Sequence, residues 1–191
     1  MSGWLVAAYA GYLAWLLAGF ADFACHRRTD LPHTSGLAES LLHLAQLSVL
    51  GAGICLGLAF EIDTPVLVTL CLLVAVHAGV GYLDTRVAWP RRDIRPFEQH
   101  VHSVLDMAPI IGLAAVIALH LDAFTSPALQ WRWRDSPLPL SVWASVLLPA
   151  RALCWWPALI ELRAAWRAAR RDAGTAVPGS GAAVAHPTGR H

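Results

Sequence analysis

The chain has 191 residues, of which 57% are hydrophobic and only 14% are charged, and its formal net charge is +1. Because soluble domains carry about 25% charged residues, this composition is typical of a membrane protein. The near-zero net charge, without a long basic stripe, argues against nucleic acid as a partner. The four cysteines form no CxxC pair, which argues against a disulfide framework or a zinc knuckle.

Five apolar stretches are close to the roughly 20 residues that a membrane-spanning helix needs. In chain order they cover residues 3–21, 40–60, 65–83, 103–121 and 138–160. No basic residue precedes the first stretch, so we interpret it as a retained helix and not as a signal peptide. The fifth contains Pro149 and Arg151, so we expect it to be kinked, tilted or partly interfacial. The prediction is an all-α integral membrane helical bundle with four to five transmembrane helices.

The arginines predict the orientation of these spans. They gather in the loops after the first and third spans and after the fifth, while Arg132 and Arg134 lie on the other side. Cytoplasmic loops accumulate positive charge, so the prediction is an N-terminus outside and a cytoplasmic C-terminus. The basic residues are all arginine and alanine is abundant, which favours a GC-rich bacterial genome and hence a bacterial inner membrane.

The predicted organisation has three parts. Residues 1–160 form the transmembrane bundle with a cytosol-facing metal site. Residues 161–171, "ELRAAWRAARR", are predicted to form a basic amphipathic helix on the membrane surface. Residues 172–191 are predicted to be a disordered tail, and no role is assigned to the two histidines within it.

Six histidines and six carboxylates lie at or near the predicted cytoplasmic ends of the spans, whereas His120 is the one histidine at the opposite end, where Glu61, Asp63, Asp122 and Asp135 also lie. The orientation rests on arginine alone, so this one-sided distribution is an independent observation. Ionisable groups at such depth are unfavourable unless they are paired or bind a ligand. The candidate metal ligands are Asp22, His26, Asp30, His33, Glu39, His43, His77, Asp84, Glu98, His100, His102 and Asp106.

Helical spacing places a histidine and a carboxylate on one face of each of the first four helices. Residues separated by four or seven positions point the same way from a helix. The pairs are Asp22 with His26, Glu39 with His43, His77 with Asp84, and His102 with Asp106. Helical bundles build dinuclear carboxylate–histidine sites on this plan. Imidazole and carboxylate together suit iron, manganese or zinc.

A simpler interpretation competes for some of these residues. A histidine at a membrane interface is often only a polar anchor, and this interpretation is equally good for Asp22, Asp30 and His33. It is the preferred one for His120. The arginines of "RRDIRP" are interpreted as topology signals or contacts to lipid phosphate.

Four stretches, "DFACHRRTD", "TSGLAESLLHLAQ", "HAGVGYLD" and "RPFEQHVHSVLDM", resemble a family of small multispan membrane proteins of proteobacteria. The matching elements are D-x-x-C-H-R, T-S-G-x-x-E-S-x-x-H, H-x6-D and E-Q-H-V-H-S. The resemblance implies the fold and the polar pattern but no activity. This chain has Asp30 where the pattern leads us to expect histidine, and we expect His33 to take over that contact.

A looser similarity connects the chain to the histidine-rich membrane hydroxylases and desaturases, which implies a dinuclear iron centre that activates oxygen. Those enzymes use HxxxH and HxxHH boxes, whereas this chain has no HxxHH and has carboxylates in place of several histidines. The first hypothesis is therefore a membrane oxidoreductase with two iron ions, acting on a lipid-like or membrane-dissolved substrate and served by an electron-donor protein.

Three alternatives remain at the sequence level. A b-type cytochrome subunit would hold haem b between His43 and either His77 or His102. A zinc-dependent membrane hydrolase would use zinc-bound water, with Ser40 or Ser103 orienting the substrate. A metal transporter fits less well, since transporter sites tend to lie near the bilayer midplane.

Overall fold

The computed structural model describes residues 3–125 and 129–175, and within these ranges the fold is all-α. Five long helices account for most of it, and each is long and apolar enough to cross a membrane. They are α1 (Gly3–Arg28), α2 (Gly36–Ala59), α3 (Thr64–Ala88), α4 (Pro96–Leu119) and α5 (Leu140–Thr175). The predicted integral membrane bundle is confirmed, and the fifth stretch qualifies as a span along with the other four.

Short turns connect the helices. Asp30 adopts a left-handed conformation (φ 51°) after α1, and a short 3-10 helix, Leu31–His33, leads on to α2. Helices α3 and α4 each have a proline in the first turn, where the missing N–H would have no helical partner anyway. A single-turn helix, Asp122–Thr125, follows α4.

Helix α5 is continuous but not uniform. It runs as an α-helix over Leu140–Ala150, passes through one π-helical turn over Arg151–Trp155, and continues as an α-helix over Trp156–Thr175. The π turn begins two residues after Pro149, whose backbone nitrogen carries no hydrogen and so cannot donate a helical hydrogen bond. The irregularity expected at this position is therefore a local widening within one helix.

The predicted boundary at residue 160 does not coincide with a break in the chain. Helix α5 continues through it, and Ala165 and Ala168, within the predicted surface helix, are buried against the bundle. The predicted tail also begins inside this helix, which extends to Thr175. The rest of the predicted tail, 176–191, lies outside the described residues.

The five helices are arranged as a ring, in which each packs against two neighbours in the order α1, α4, α3, α2 and α5. We call the end where α1 and α3 finish and α2 and α4 begin the cluster end, and the opposite end the far end. Close packing of α1 against α5 needs Gly19, because a Cβ there would lie 3.0 Å from Cys154 Sγ. Leu72 of α3 is more than half exposed and lines neither of the cavities described below, as expected of a lipid-facing position.

Candidate metal centre

Eight ionisable side chains meet inside the ring at the cluster end, and we call them the polar cluster. Each of the five helices supplies at least one member, so the site exists only in the folded bundle. Seven members were candidates from the sequence, and Glu161 of α5 is new. The members are Asp22, His26, Glu39, His43, Asp84, Glu98, His102 and Glu161.

Glu161 holds the two central histidines in one orientation. Its Oε2 lies 2.9 Å from Nδ1 of His26, and its Oε1 lies 2.9 Å from Nδ1 of His43. The two rings are stacked, with centroids 4.5 Å apart and planes only 5° from parallel. A carboxylate accepts hydrogen bonds, so both Nδ1 atoms donate and both Nε2 atoms are left with a free lone pair.

The free Nε2 atoms face the other carboxylates. His26 Nε2 lies 3.3 Å from Asp22 and 3.8 Å from both Glu39 and Glu98. His43 Nε2 lies 3.3 Å from Asp84 and 3.8 Å from the same Glu39 oxygen.

The third histidine of the cluster completes the arrangement. His102 Nε2 lies 3.0 Å from Asp22 Oδ1. Nitrogen and oxygen donors of four helices thus surround a common space.

The spacing of these donors fits metal coordination. Donors bonded to a first-row metal at about 2.0–2.2 Å lie roughly 3–3.5 Å from one another. Two groups approach this spacing, and within each the donor atoms lie within 4.8 Å of one another: Asp22 with His26, Glu98 and His102, and His26 with Glu39 and His43. The region could hold two neighbouring cations, of which the single free Nε2 of His26 can bind one.

Several of the donor atoms have no hydrogen bond within the described part of the chain. They include Nε2 of His26, His43 and His102, and one carboxylate oxygen each of Asp22 and Asp84. His102 Nε2 and Asp22 Oδ1 are close but are not aligned for a hydrogen bond. An unsatisfied buried polar group costs about 1–3 kcal/mol, so five of them in one region call for a further partner. One or two metal cations would supply it.

Arg92 lies behind the carboxylates, at the start of the loop that enters α4. Its guanidinium donates to both oxygens of Glu39 and to Glu98 Oε1, and its side chain is 1% exposed. Burial lowers the pKa of Arg92, but the hydrogen bonds and charges of Glu39 and Glu98 raise it above its ordinary value. The interpretation of this arginine as a contact to lipid phosphate is therefore wrong, whereas its role as a topology signal stays a prediction.

The charges of the cluster do not balance by themselves. The site holds five carboxylates, four of them buried and Glu161 with a 9% exposed side chain, and its one buried guanidinium among the described residues is that of Arg92. If all are ionised, four negative charges remain, which is the charge of two divalent cations. The five carboxylates are Asp22, Glu39, Asp84, Glu98 and Glu161.

Two further candidates stand beside the polar cluster. His77 and Asp106 line a cavity of about 110 Å³ together with cluster members Asp22, His43, Asp84 and His102. We call it the cluster cavity. Neither ring nitrogen of His77 has a hydrogen bond within the described residues, whereas Asp106 is exposed.

Three predicted ligands lie outside the cluster. Asp30 and His33 form an exposed pair with each other, Oδ1 to Nδ1 at 2.9 Å, because the chain has already left α1 when it reaches them. His100 is also exposed. It lies midway between Glu98 and His102, and a two-residue step turns a side chain to the opposite face of a helix.

Two members of the site escaped the sequence analysis. Glu161 is the lone acid between residues 136 and 171, directly after an apolar run, and this isolation was an available signal. Arg92 is flanked by Arg91 and Asp93, and nothing in the sequence separates it from its neighbours.

Glu161→Gln is expected to weaken binding of a divalent metal by about 10–100-fold, the usual cost of losing a group that orients a ligating histidine. The glutamine amide would donate to one Nδ1, which moves that ring's proton to Nε2 and blocks its lone pair. Nitrogen NMR of 15N-histidine-labelled protein would show this tautomer. Asp30→Asn is the matched control and should change neither the metal affinity nor the signals of His26 and His43, since Asp30 contacts only the exposed His33 among the histidines of the described residues. Equal losses of affinity in both variants would contradict the orienting role of Glu161.

No protein-family model matches the chain, and no curated protein or solved structure was found to match it. The site is therefore interpreted from its own geometry.

Proposed function

We propose that this chain is a metal-dependent oxidoreductase of the bacterial inner membrane, with two iron ions in the polar cluster and a membrane-dissolved, lipid-like substrate. The observation that supports it most is the shared orientation of His26 and His43. Both Nδ1 atoms are held by Glu161, and both free Nε2 atoms face the same oxygen of Glu39. A mixed set of imidazoles and carboxylates suits iron, and an apolar bundle suits a substrate dissolved in lipid.

The proposal includes the orientation of the protein. Most arginines lie at the cluster end, in the last turns of α1 and α3, in the connection after α3 and in the last turns of α5. We therefore propose that the cluster end faces the cytoplasm and that the N-terminus lies outside. A soluble electron-donor protein would approach the centre from that side.

The chemistry balances with dioxygen as the oxidant. Hydroxylation of a C–H bond consumes one dioxygen, two electrons and two protons, and yields one hydroxyl group and one water. Bound iron would supply the activation of oxygen. The chain's own residues position the centre: Glu161 orients the two histidines, Arg92 holds Glu39 and Glu98, and the apolar walls of the cluster cavity exclude bulk water.

The geometry disfavours haem at this site. His43, His77 and His102, the axial ligands considered from the sequence, line the cluster cavity, whose volume of about 110 Å³ is below the roughly 300–1,000 Å³ of small-molecule sites. The two central histidines do not suit haem either. Axial ligands of haem must approach the iron from opposite faces. His26 and His43 are parallel, stacked at 4.5 Å, and present their Nε2 atoms on the same side. Zinc remains compatible with the donor set and defines the main competing function, a membrane hydrolase.

Elemental analysis and optical spectroscopy of detergent-purified protein test the proposal. We expect about two irons per chain and oxygen consumption that depends on a reductant and on extracted membrane lipid. Zinc alone with oxygen-independent hydrolysis would favour the hydrolase, and a Soret band would favour the cytochrome. Metal-free protein that stays folded and active would eliminate every metal-dependent function considered.

A further inference from the structure

A second, larger cavity lies inside the ring toward the far end, and we call it the apolar cavity. It has about 720 Å³, within the range of small-molecule sites, and is lined by α1, α2, α3 and α4. It shares Trp15, Leu50 and Ile54 with the cluster cavity, so the two cavities are adjacent. Together they lead from the far end of the bundle to the polar cluster.

The walls of the apolar cavity are almost entirely hydrocarbon, with basic groups at one end. Arg134 is the only arginine and His120 the only histidine among the described residues that line it. Arg134 donates from Nε to Leu58 O and from Nη2 to Gly57 O, both at the end of α2. Those acceptors are uncharged, and Arg134 forms no ion pair with any described carboxylate.

His120 completes this basic end. Its Nδ1 donates to Val116 O, which leaves Nε2 as an additional polar atom at the same depth. One cation without an ion-pair partner among the described residues, at the end of an apolar space, is complementary to an amphiphile with one negative charge. His120 adds Nε2 as a hydrogen-bonding group.

The length of this space sets the length of the ligand. Fourteen residues of α2 separate His43, in the polar cluster, from Gly57, which contacts Arg134. At a rise of 1.5 Å per residue this is about 21 Å. That distance is close to the extended length of a common membrane acyl chain.

We propose that the apolar cavity binds a long-chain fatty acid, with its carboxylate at Arg134 and its hydrocarbon tail directed toward the polar cluster. One consequence of this inference rests on the proposed function: if the polar cluster holds metals, the distal end of the tail is the part that reaches them. It deepens that function by naming the substrate class and the end of the molecule that reaches the centre. Binding itself depends only on the cavity.

Glycines allow the cavity to be filled without disturbing the fold. A Cβ at Gly112, which lines the apolar cavity, would meet no atom within 4 Å. The same is true of Gly79, which is exposed on α3 and lines neither cavity. Gly112→Leu therefore places a side chain in the cavity, and Gly79→Leu is a matched control.

The experiment measures binding of labelled palmitate to full-length protein in phosphatidylcholine nanodiscs. Gly112→Leu is expected to weaken binding by roughly tenfold or more, because its side chain occupies the space of the tail. Gly79→Leu should bind like the unaltered protein. Equal binding by the two variants would overturn the proposal.

The head group is tested with Arg134→Gln and with hexadecanol, the neutral analogue of palmitate. The variant is expected to weaken palmitate binding by roughly tenfold, the loss of one charge-assisted contact, and to leave hexadecanol binding unchanged. An equal loss for both ligands would show that Arg134 acts only as the cap of α2. Tighter binding of lysophosphatidate than of palmitate would overturn the carboxylate assignment.

The direction of the tail is tested by NMR with Mn²⁺ in place of iron. The terminal-methyl ¹³C signal of bound palmitate should broaden more than the carboxyl ¹³C signal, and the reverse order would overturn the proposed direction. The two proposals fail separately. Palmitate binding without metal binding would overturn the proposed function alone, whereas metal binding without palmitate binding would overturn this inference alone.

Discussion

His26→Asn is expected to lower the metal content of the chain more than His43→Asn. The difference follows from the two donor groups, because the single free Nε2 of His26 can complete either group, whereas His43 belongs only to the second. Loss of a direct ligand should exceed the roughly 10–100-fold effect of losing a supporting partner. Metal content per chain after dialysis, measured by elemental analysis, gives the result.

His100→Asn is the matched control for both variants. It makes the same chemical change on an exposed histidine at the same end of the bundle, two residues from Glu98. It should retain the full metal content. If His100→Asn lost as much metal as His26→Asn, the binding site would not be the polar cluster. Circular dichroism of each variant confirms that the helices are intact.

Arg92→Met is expected to destabilise the metal-free protein by about 3–5 kcal/mol, the cost of removing one partner from a buried ion pair. Its guanidinium is the one buried cation among the carboxylates of the described polar cluster, and it serves Glu39 and Glu98 together. Without it, two buried carboxylates lose their compensating charge. A divalent cation supplies positive charge to the same oxygens, so added metal should recover part of the loss.

Thermal unfolding in detergent, with and without metal, measures this effect. Arg91→Met is the matched control, because Arg91 is adjacent and exposed, and within the described part of the chain its guanidinium donates only to Val87 O. It should leave the midpoint of unfolding unchanged. Equal destabilisation by the two variants, or no recovery of Arg92→Met on addition of metal, would contradict the role of Arg92 in balancing the cluster charge.

Many members of the polar cluster can be predicted from the sequence, because helical periodicity relates residues that are close together in the chain. Glu39 with His43, and Asp22 with His26, share a helix face at a spacing of four, and both pairs lie in the cluster. The same rule places His100 on the other face from Glu98 and His102. For these residues, helical spacing therefore predicted membership of the polar cluster better than the local density of polar residues did.

The remainder could not be read from spacing, because it depends on which helix lies next to which. Glu161 comes more than a hundred residues after the histidines that it holds, and it reaches them only because α5 packs between α1 and α2. Arg92 and Arg91 are neighbours of the same type, yet one is buried among carboxylates and the other is exposed. Loop geometry alone separates them.

The sequence by itself determined the all-α membrane fold and one end of the bundle as the place of its polar groups, since hydropathy and helical period are properties of consecutive residues. The tertiary structure alone decided which donors converge, that one glutamate of α5 orients two histidines of α1 and α2, and that an apolar cavity with Arg134 at its end adjoins the cluster cavity. The physical reason is that a ring of five helices brings together side chains far apart in the chain, and the order of the ring is set by packing over the whole bundle.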